Sequence, residues 1–276
     1  MYSMNPAATP PSRYPVRDLG DGVLMPLLGL GVWKVPPGRE TEQVVAWALE
    51  AGYRHIDTAA AYRNERSVGA ALRHSGVARD EVFITTKWMP IKPNPERELA
   101  RSLGRLGLDY VDLYLIHWPM PTTDTRGWHG LEVLRTQGRA RAIGVSNYGT
   151  DRLTRLLAQA TYRPAVNQIQ FSPVHFRRRL FEYCLDQGIT LEAYSPLDHG
   201  RALAHPVIVE IARRLERRPA QVMLRWAIQH EVIVIPKSTH RERILANAAI
   251  FDFTLSPSDM LALDALDTTG GTGKAR

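Results

Sequence analysis

Residues 107–119 read GLDYVDLYLIHWP. Within that stretch Val111–His117 is a nearly continuous apolar run, ending on a histidine and closed by Trp118 and Pro119. A strand with one wet face alternates apolar and polar residues, whereas a strand covered on both faces does not. The run therefore predicts a buried parallel strand with a polar group at its C-terminal end. Seven more runs of this kind lie on either side: Leu27–Trp33, Tyr53–Thr58, Val82–Lys87, Arg141–Ser146, Val166–Gln170, Thr190–Tyr194 and Val232–Pro236. Helix-patterned segments separate them. Thr41–Ala51 opens on Thr41 as a cap and stops before Gly52, Leu180–Gln187 stops at Gly188, and Asp151–Ala160 and Pro219–Gln229 are similar.

Eight strand–helix alternations without a linker predict one α/β domain, a (β/α)8 TIM barrel, over residues 15–267. The turn at Gly20-Asp21-Gly22 adds an N-terminal β-hairpin, and Pro206–Leu215 and Ser256–Leu266 read as two extra helices. An open doubly wound sheet is the alternative. Its glycine-rich turn follows the first strand, but Gly29-Leu30-Gly31 lies inside the first run. Residues 1–14, rich in proline and small residues, are expected to be disordered, and 268–276, ending GGTGKAR, to be a flexible tail.

The chain has 276 residues, 44% hydrophobic and 23% charged, a composition that excludes a disordered or fibrous protein. No apolar run has the length of a membrane span, so no membrane association is expected. The first residues lack the basic and apolar regions of a signal peptide, which points to the cytoplasm. Thirty-five basic residues against 28 acidic give a net charge of +7 and favour anionic partners. The arginines are dispersed, and the run Arg177–Arg179 reads as a solvated helix start, so nucleic acid is not an expected partner. The one cysteine, Cys184, leaves no intramolecular disulfide. His117, His129 and His175 are too separated in sequence to suggest a metal site, and no HExxH spacing occurs.

In such a barrel the chemistry sits at the C-terminal ends of the strands. Those ends carry Asp57, Lys87, His117, Ser146-Asn147, Gln168, Tyr194 and Lys237-Ser238. The motifs around them are GYRHIDTAAAYRNE (52–65), FITTK (83–87), GLDYVDLYLIHWP, RAIGVSN (141–147), PAVNQIQ (164–170), EAYSPL (192–197), IPKS (235–238) and FDFTLSPSDMLALDAL (251–266). In that order they resemble the aldo-keto reductase family over residues 16–266, and most of all its bacterial branch that includes 2,5-diketo-D-gluconate reductases.

The resemblance implies a catalytic tetrad of Asp57, Tyr62, Lys87 and His117. The chemistry of the side chains agrees with it. A phenol with a pKa of ~10 is a weak acid at neutrality, and an ammonium beside it lowers that pKa by stabilising the phenolate. Asp57 is the counter-ion that keeps a buried Lys87 charged, His117 hydrogen-bonds and orients a carbonyl, and Tyr62 is the general acid. The implied cofactor is NADPH, with Ser146, Asn147 and Gln168 on the nicotinamide carboxamide and Tyr194 stacked on its ring. Ser195 and Leu197 belong to the same site, and Lys237, Ser238, Arg243 and Asn247 hold the adenosine 2′-phosphate and adenine. Trp33, Trp88 and Trp118 are expected to line the substrate pocket. The implied function is NADPH-dependent reduction of a small aldehyde or ketone by a monomer. The alternative is an NADP(H)-binding sensor with little turnover.

Three positions depart from the family pattern. Asp198 stands where glycine is usual near the pyrophosphate. Ala246 replaces an acidic residue before Asn247. Trp88 directly follows Lys87, and Met89 takes the slot where the family places tryptophan.

Overall fold

The structure is a computed structural model that describes residues 14–91, 94–120 and 124–269. Strands β1 (Val16–Asp18) and β2 (Leu24–Pro26) form the antiparallel hairpin, with Val16 opposite Pro26. Eight parallel strands follow in chain order: β3 (Leu30–Gly31), β4 (His55–Asp57), β5 (Phe83–Trp88), β6 (Val111–Ile116), β7 (Ala140–Ser146), β8 (Val166–Gln170), β9 (Thr190–Tyr194) and β10 (Ile233–Val234). Each pairs with its neighbour in sequence. A parallel bridge between Leu28 and Val234 closes the ring, reinforced by Gly29 N–H donating to the Val234 carbonyl at 2.9 Å. The eight apolar runs are these eight strands. At the seam the regular ladder is shorter than the runs, in part because Pro236 has no N–H to donate.

Among the described residues ten α-helices surround the strands: α1 (Arg39–Glu50), α2 (Glu65–His74), α3 (Pro95–Leu106), α4 (Asp124–Thr136), α5 (Thr150–Leu157), α6 (Arg178–Asp186), α7 (Pro206–Arg214), α8 (Pro219–Gln229), α9 (Arg241–Ala248) and α10 (Pro257–Asp264). The additions to the eight-fold repeat are α7 and α10, at the two segments read as extra helices. One cap is corrected. Thr41 lies inside α1, buried, with its hydroxyl donating to the Pro36 carbonyl at 2.6 Å, and Gly38 at φ 94° takes the cap position. Residues 1–13 and 270–276, most of the two terminal segments, lie outside the described residues. Tyr14, counted with the leading segment, is held in place: its hydroxyl donates to the Ala51 carbonyl at 2.7 Å and its ring stacks on Phe251. Thr268, counted with the tail, donates from its hydroxyl to the Val174 carbonyl at 2.8 Å.

Side chains alternate across each strand. On β5 to β7 the outward set, including Ile84, Trp88, Tyr114, Ile116, Ile143 and Val145, packs into the layer shared with the helices. The inward set has two levels. Val23, Met25, Phe83, Leu113, Leu115, Ala142, Val166 and Ile233 form an apolar floor beneath the mouth, closed by the hairpin. Above it stand His55, Asp57, Thr85, Lys87, Gln168 and Glu192, all buried and polar. Gly144 marks a tight place in the interior. A Cβ there would meet the Val166 carbonyl oxygen at 2.5 Å and Leu115 Cδ2 at 2.8 Å. Gly144→Ala is therefore expected to cost about 1–3 kcal/mol, read as a lower urea midpoint at unchanged slope.

Candidate active site

The loop after β4 sets the position of Tyr62. Ala60–Tyr62 form one 3₁₀ turn, closed by Tyr62 N–H on the Ala59 carbonyl at 3.0 Å, and Arg63 reverses the chain at φ 61°. Fully buried Asn64 then pins the loop to the barrel. It accepts from the Thr58 hydroxyl at 2.9 Å and donates to the carbonyls of Val32 (2.9 Å) and Val35 (3.1 Å). The sequence reading passed over Asn64; a polar residue directly before an amphipathic helix was the available signal.

Lys87 sits at the centre. Its ammonium donates to both Asp57 oxygens, at 2.6 and 2.7 Å, to the Thr58 carbonyl at 3.0 Å and to the Tyr62 hydroxyl at 3.3 Å. Burial alone would lower the lysine pKa. The facing Asp57 charge and its hydrogen bonds outweigh burial and leave it above the ordinary value, so Lys87 is charged. For Tyr62 the balance runs against expectation. Lys87 does favour the phenolate, but desolvation is larger, and the Tyr62 pKa lies above that of free tyrosine. The phenol is thus fully protonated at neutral pH, with its phenolate form already facing an ammonium. The His117 ring meets the Tyr62 ring edge-on, with centroids 5.5 Å apart. Burial, then the Lys87 charge, push His117 down to about 3, so the imidazole is neutral, and its Nδ1 is buried without a hydrogen-bond partner.

On the opposite wall the expected nicotinamide contacts come together. Tyr194 O–H donates to Asn147 Oδ1 at 2.8 Å, which fixes the ring. Asn147 Nδ2 reaches Ser146 Oγ at 3.0 Å and the His117 carbonyl at 3.3 Å, and Ser146 O–H donates to the Gln168 carbonyl at 2.9 Å. The Gln168 side chain turns the other way. Its amide nitrogen is 2.8 Å from both Asp57 Oδ2 and Glu192 Oε2, so both N–H donors are committed inside the barrel and only the carbonyl oxygen is left for a ligand. Glu192 and His55, both fully buried beside this amide, also escaped the sequence reading. They lie within GYRHID and EAYSPL but away from the strand ends that drew attention.

Across the mouth, Ser195 (φ 47°) and half-buried Leu197 lead into the 3₁₀ segment Asp198–Ala204. The Asp198 carboxylate does not confront the mouth as a lone charge: Arg201 binds it at 2.6 Å and His175 Nδ1 lies at 3.8 Å. Ser238 and Asn247 are buried, while Lys237 and Arg243 are exposed and have no ion-pair partner among the described residues. Trp33 and Trp118 are 45% and 40% exposed. Trp88 is not a wall. Lys87 takes the inward position of β5, so alternation turns Trp88 outward, where it is 2% exposed and packs on the α4 backbone; a Cβ on Gly127 would meet its ring at 2.4 Å. Among the described residues no three metal-ligating side chains gather, and no helix is long and apolar enough to cross a membrane.

The family model for the aldo/keto reductase family matches residues 27–268. Over 252 residues the chain is 49% identical to glyoxal reductase of Bacillus subtilis, covering 90% of this chain and 91% of the relative. It is 45% identical over 258 residues to methylglyoxal reductase DkgA of Yersinia pestis, covering 92% and 93%. Among solved structures it resembles a Bombyx mori aldo-keto reductase in complex with NADP, with a TM-score of 0.86, 35% identity and coverage of 92% and 93%.

The buried imidazoles make stability depend on pH. His55 and His117 are both lowered to about 3 from an ordinary value near 6.5. Between these values the unfolded chain binds the extra protons, so this contribution is complete above pH ~6.5 and is lost as pH falls toward 3. The melting temperature is expected to drop through that window, and His117→Gln to show a shallower drop than wild type in parallel calorimetry.

Proposed function

Since the chain belongs to the aldo/keto reductase family, whose members are NADP(H)-dependent carbonyl oxidoreductases, we propose that Tyr62 is the proton donor in its reduction of a small aldehyde or ketone. The single observation that carries this reading is the Lys87 ammonium, held by both oxygens of Asp57 and in contact with the Tyr62 hydroxyl. As the phenol O–H is given to a carbonyl oxygen, the negative charge left on Tyr62 appears 3.3 Å from a fixed cation. His117, lowered to about 3, has no second proton to give near neutrality. Its role is to donate one N–H hydrogen bond that orients the carbonyl. Asp57 does not touch the substrate; it keeps Lys87 charged.

The residues fit an NADP(H) cofactor. Tyr194 is a half-buried ring locked through Asn147, with Ser146 beside it; their N–H and O–H donors are engaged with one another and with the His117 and Gln168 carbonyls, and Asn147 Oδ1 keeps a second lone pair for a carboxamide N–H. Lys237 and Arg243 are exposed cations without a counter-ion among the described residues, suited to a 2′-phosphate, and Ser238 and Asn247 are buried neighbours in the sequence. NADPH, when bound, supplies the hydride. Gln168 contributes its carbonyl oxygen at most, and its main engagement is with Asp57. Trp33 and Trp118 give flat apolar walls that suit compact carbonyl compounds. Because the relatives include glyoxal and methylglyoxal reductases, short α-oxoaldehydes are the first substrates to assay. Work as a monomer in the cytoplasm belongs to the same proposal; the one cysteine, buried and with its thiol pushed up to about 12, suits a reducing compartment. The alternative of a cofactor sensor finds no support in relatives named as reductases.

Tyr62→Phe removes the proton and leaves the cofactor walls. It is expected to lower kcat by ~10²–10⁴-fold with NADPH affinity, measured by fluorescence titration, close to wild type. A variant that keeps most of its turnover would remove Tyr62 from the role. Arg243→Ala is expected to lower kcat/KM about 10-fold or more for NADPH and little for NADH, since one charge-assisted contact of ~1.5 kcal/mol is worth a factor of ten. Steady-state kinetics with both cofactors decide this; equal losses make Arg243 structural.

A further inference from the structure

The tetrad leaves out a second acid just inside it. Glu192 stands on β9 two residues before Tyr194, so both face the barrel interior. Its side chain is fully buried. One oxygen, Oε2, accepts from Gln168 Nε2 at 2.8 Å, and the same nitrogen reaches Asp57 Oδ2 at 2.8 Å. The other, Oε1, lies 3.5 Å from His55 Nε2 and has no hydrogen-bond partner. One amide thus joins two carboxyl groups, and one of these holds Lys87.

A carboxyl group here needs a physical reason, because a carboxylate out of water is costly. Lys87 already serves both oxygens of Asp57. The groups facing Glu192 are Asp57 and His55 from β4, Lys87 and Thr85 from β5, Gln168 from β8 and Tyr62 from the loop after β4, while its register partner on β10 is the aliphatic Ile233. His55 is held down to about 3 by burial and then by Lys87, so it stays neutral. Burial, and after it the Asp57 charge, push Glu192 up to about 8, so it carries its proton at neutral pH.

We propose that Glu192 is a positioning residue for the carbonyl chemistry, fixing Asp57 on Lys87 through the Gln168 amide and, by gaining or losing its own proton, setting how readily Tyr62 releases one. The proposal rests on Tyr62 as the proton donor. With Glu192 neutral, the interior holds only the balanced Lys87–Asp57 pair. Once ionised, Glu192 adds a negative charge that strengthens the hold of Lys87 on its proton and opposes the Tyr62 phenolate. In alcohol oxidation, the reverse direction, the phenolate is the base. Ionised Glu192 therefore delays that direction to higher pH.

Glu192→Gln keeps the shape, keeps an acceptor for Gln168 and removes the charge. Two readouts that a merely structural role would not move are the ultraviolet titration of Tyr62, isolated by subtracting Tyr62→Phe, and the pH profile of kcat for alcohol oxidation. Both are expected to move to lower pH by about one unit in Glu192→Gln. The infrared band of a buried carboxylic acid in wild type at neutral pH is expected to vanish. Superimposable titrations and profiles overturn the proposal, as does an unchanged infrared band. Should Glu192→Gln fail to fold, Glu192→Met, also uncharged and of similar length, carries the same measurements. Failure of the Tyr62 reading is distinct, since it appears as turnover in Tyr62→Phe whatever residue stands at 192.

Discussion

An ammonium and a carboxylate face each other inside this barrel with almost no surface open to solvent. Lys87 is fully buried and Asp57 nearly so, and their contact is bidentate at 2.6 and 2.7 Å. Taking two such charges out of water costs several kcal/mol per ion, and only close geometry with further hydrogen bonds offsets it. The surroundings supply them: the Thr58 carbonyl accepts from Lys87, and the Gln168 amide donates to Asp57. The proton transfer proposed for Tyr62 depends on this arrangement. Without Asp57, burial would strip the proton from Lys87, and without that charge the Tyr62 phenolate would have no stabilising neighbour.

Strand alternation allows so polar a cluster to exist in the middle of a core. The residues flanking Lys87 on β5, Thr86 and Trp88, point to the helices, where Thr86 meets buried Glu65 and Trp88 meets the α4 backbone. Every second residue of β5 faces the barrel, which places Phe83 in the apolar floor, then Thr85, then Lys87 toward the mouth. The floor and hairpin exclude water from below. The same rule turns Glu192 and Tyr194 inward together, joining the buried acid and the mouth-facing ring on one strand.

Charge is distributed with depth. The interior pair balances itself, and the two histidines beside it are neutral. At the mouth Arg201 binds Asp198, so the acid standing in a position usually held by glycine adds no unbalanced negative charge. Lys237 and Arg243 have no ion-pair partner among the described residues. In the proposed mode of binding those two cations attract the anionic cofactor, while its reacting end meets a site of little net charge in which small changes of protonation count.

The sequence by itself determined the eight strands, their order and the two additional helices, which are properties of local pattern: apolar runs between helical segments, with polar residues at their ends. Asp57, Tyr62, Lys87 and His117 were singled out by the resemblance of the motifs around those ends. Tertiary structure decided the rest, because it depends on distance through space. Gln168 and Asp57 are 111 residues apart in the chain and 2.8 Å apart in the fold, and nothing in PAVNQIQ announces that its amide turns toward a carboxylate on β4. The direction of Trp88 was latent in the position of Lys87, yet a pocket wall and a core residue share the same letter. The direction in which the Tyr62 pKa moves depends on burial weighed against the Lys87 charge, and only the folded barrel supplies both. Local periodicity is written along the chain; desolvation and the meeting of distant charges exist only after the ring between Leu28 and Val234 has closed.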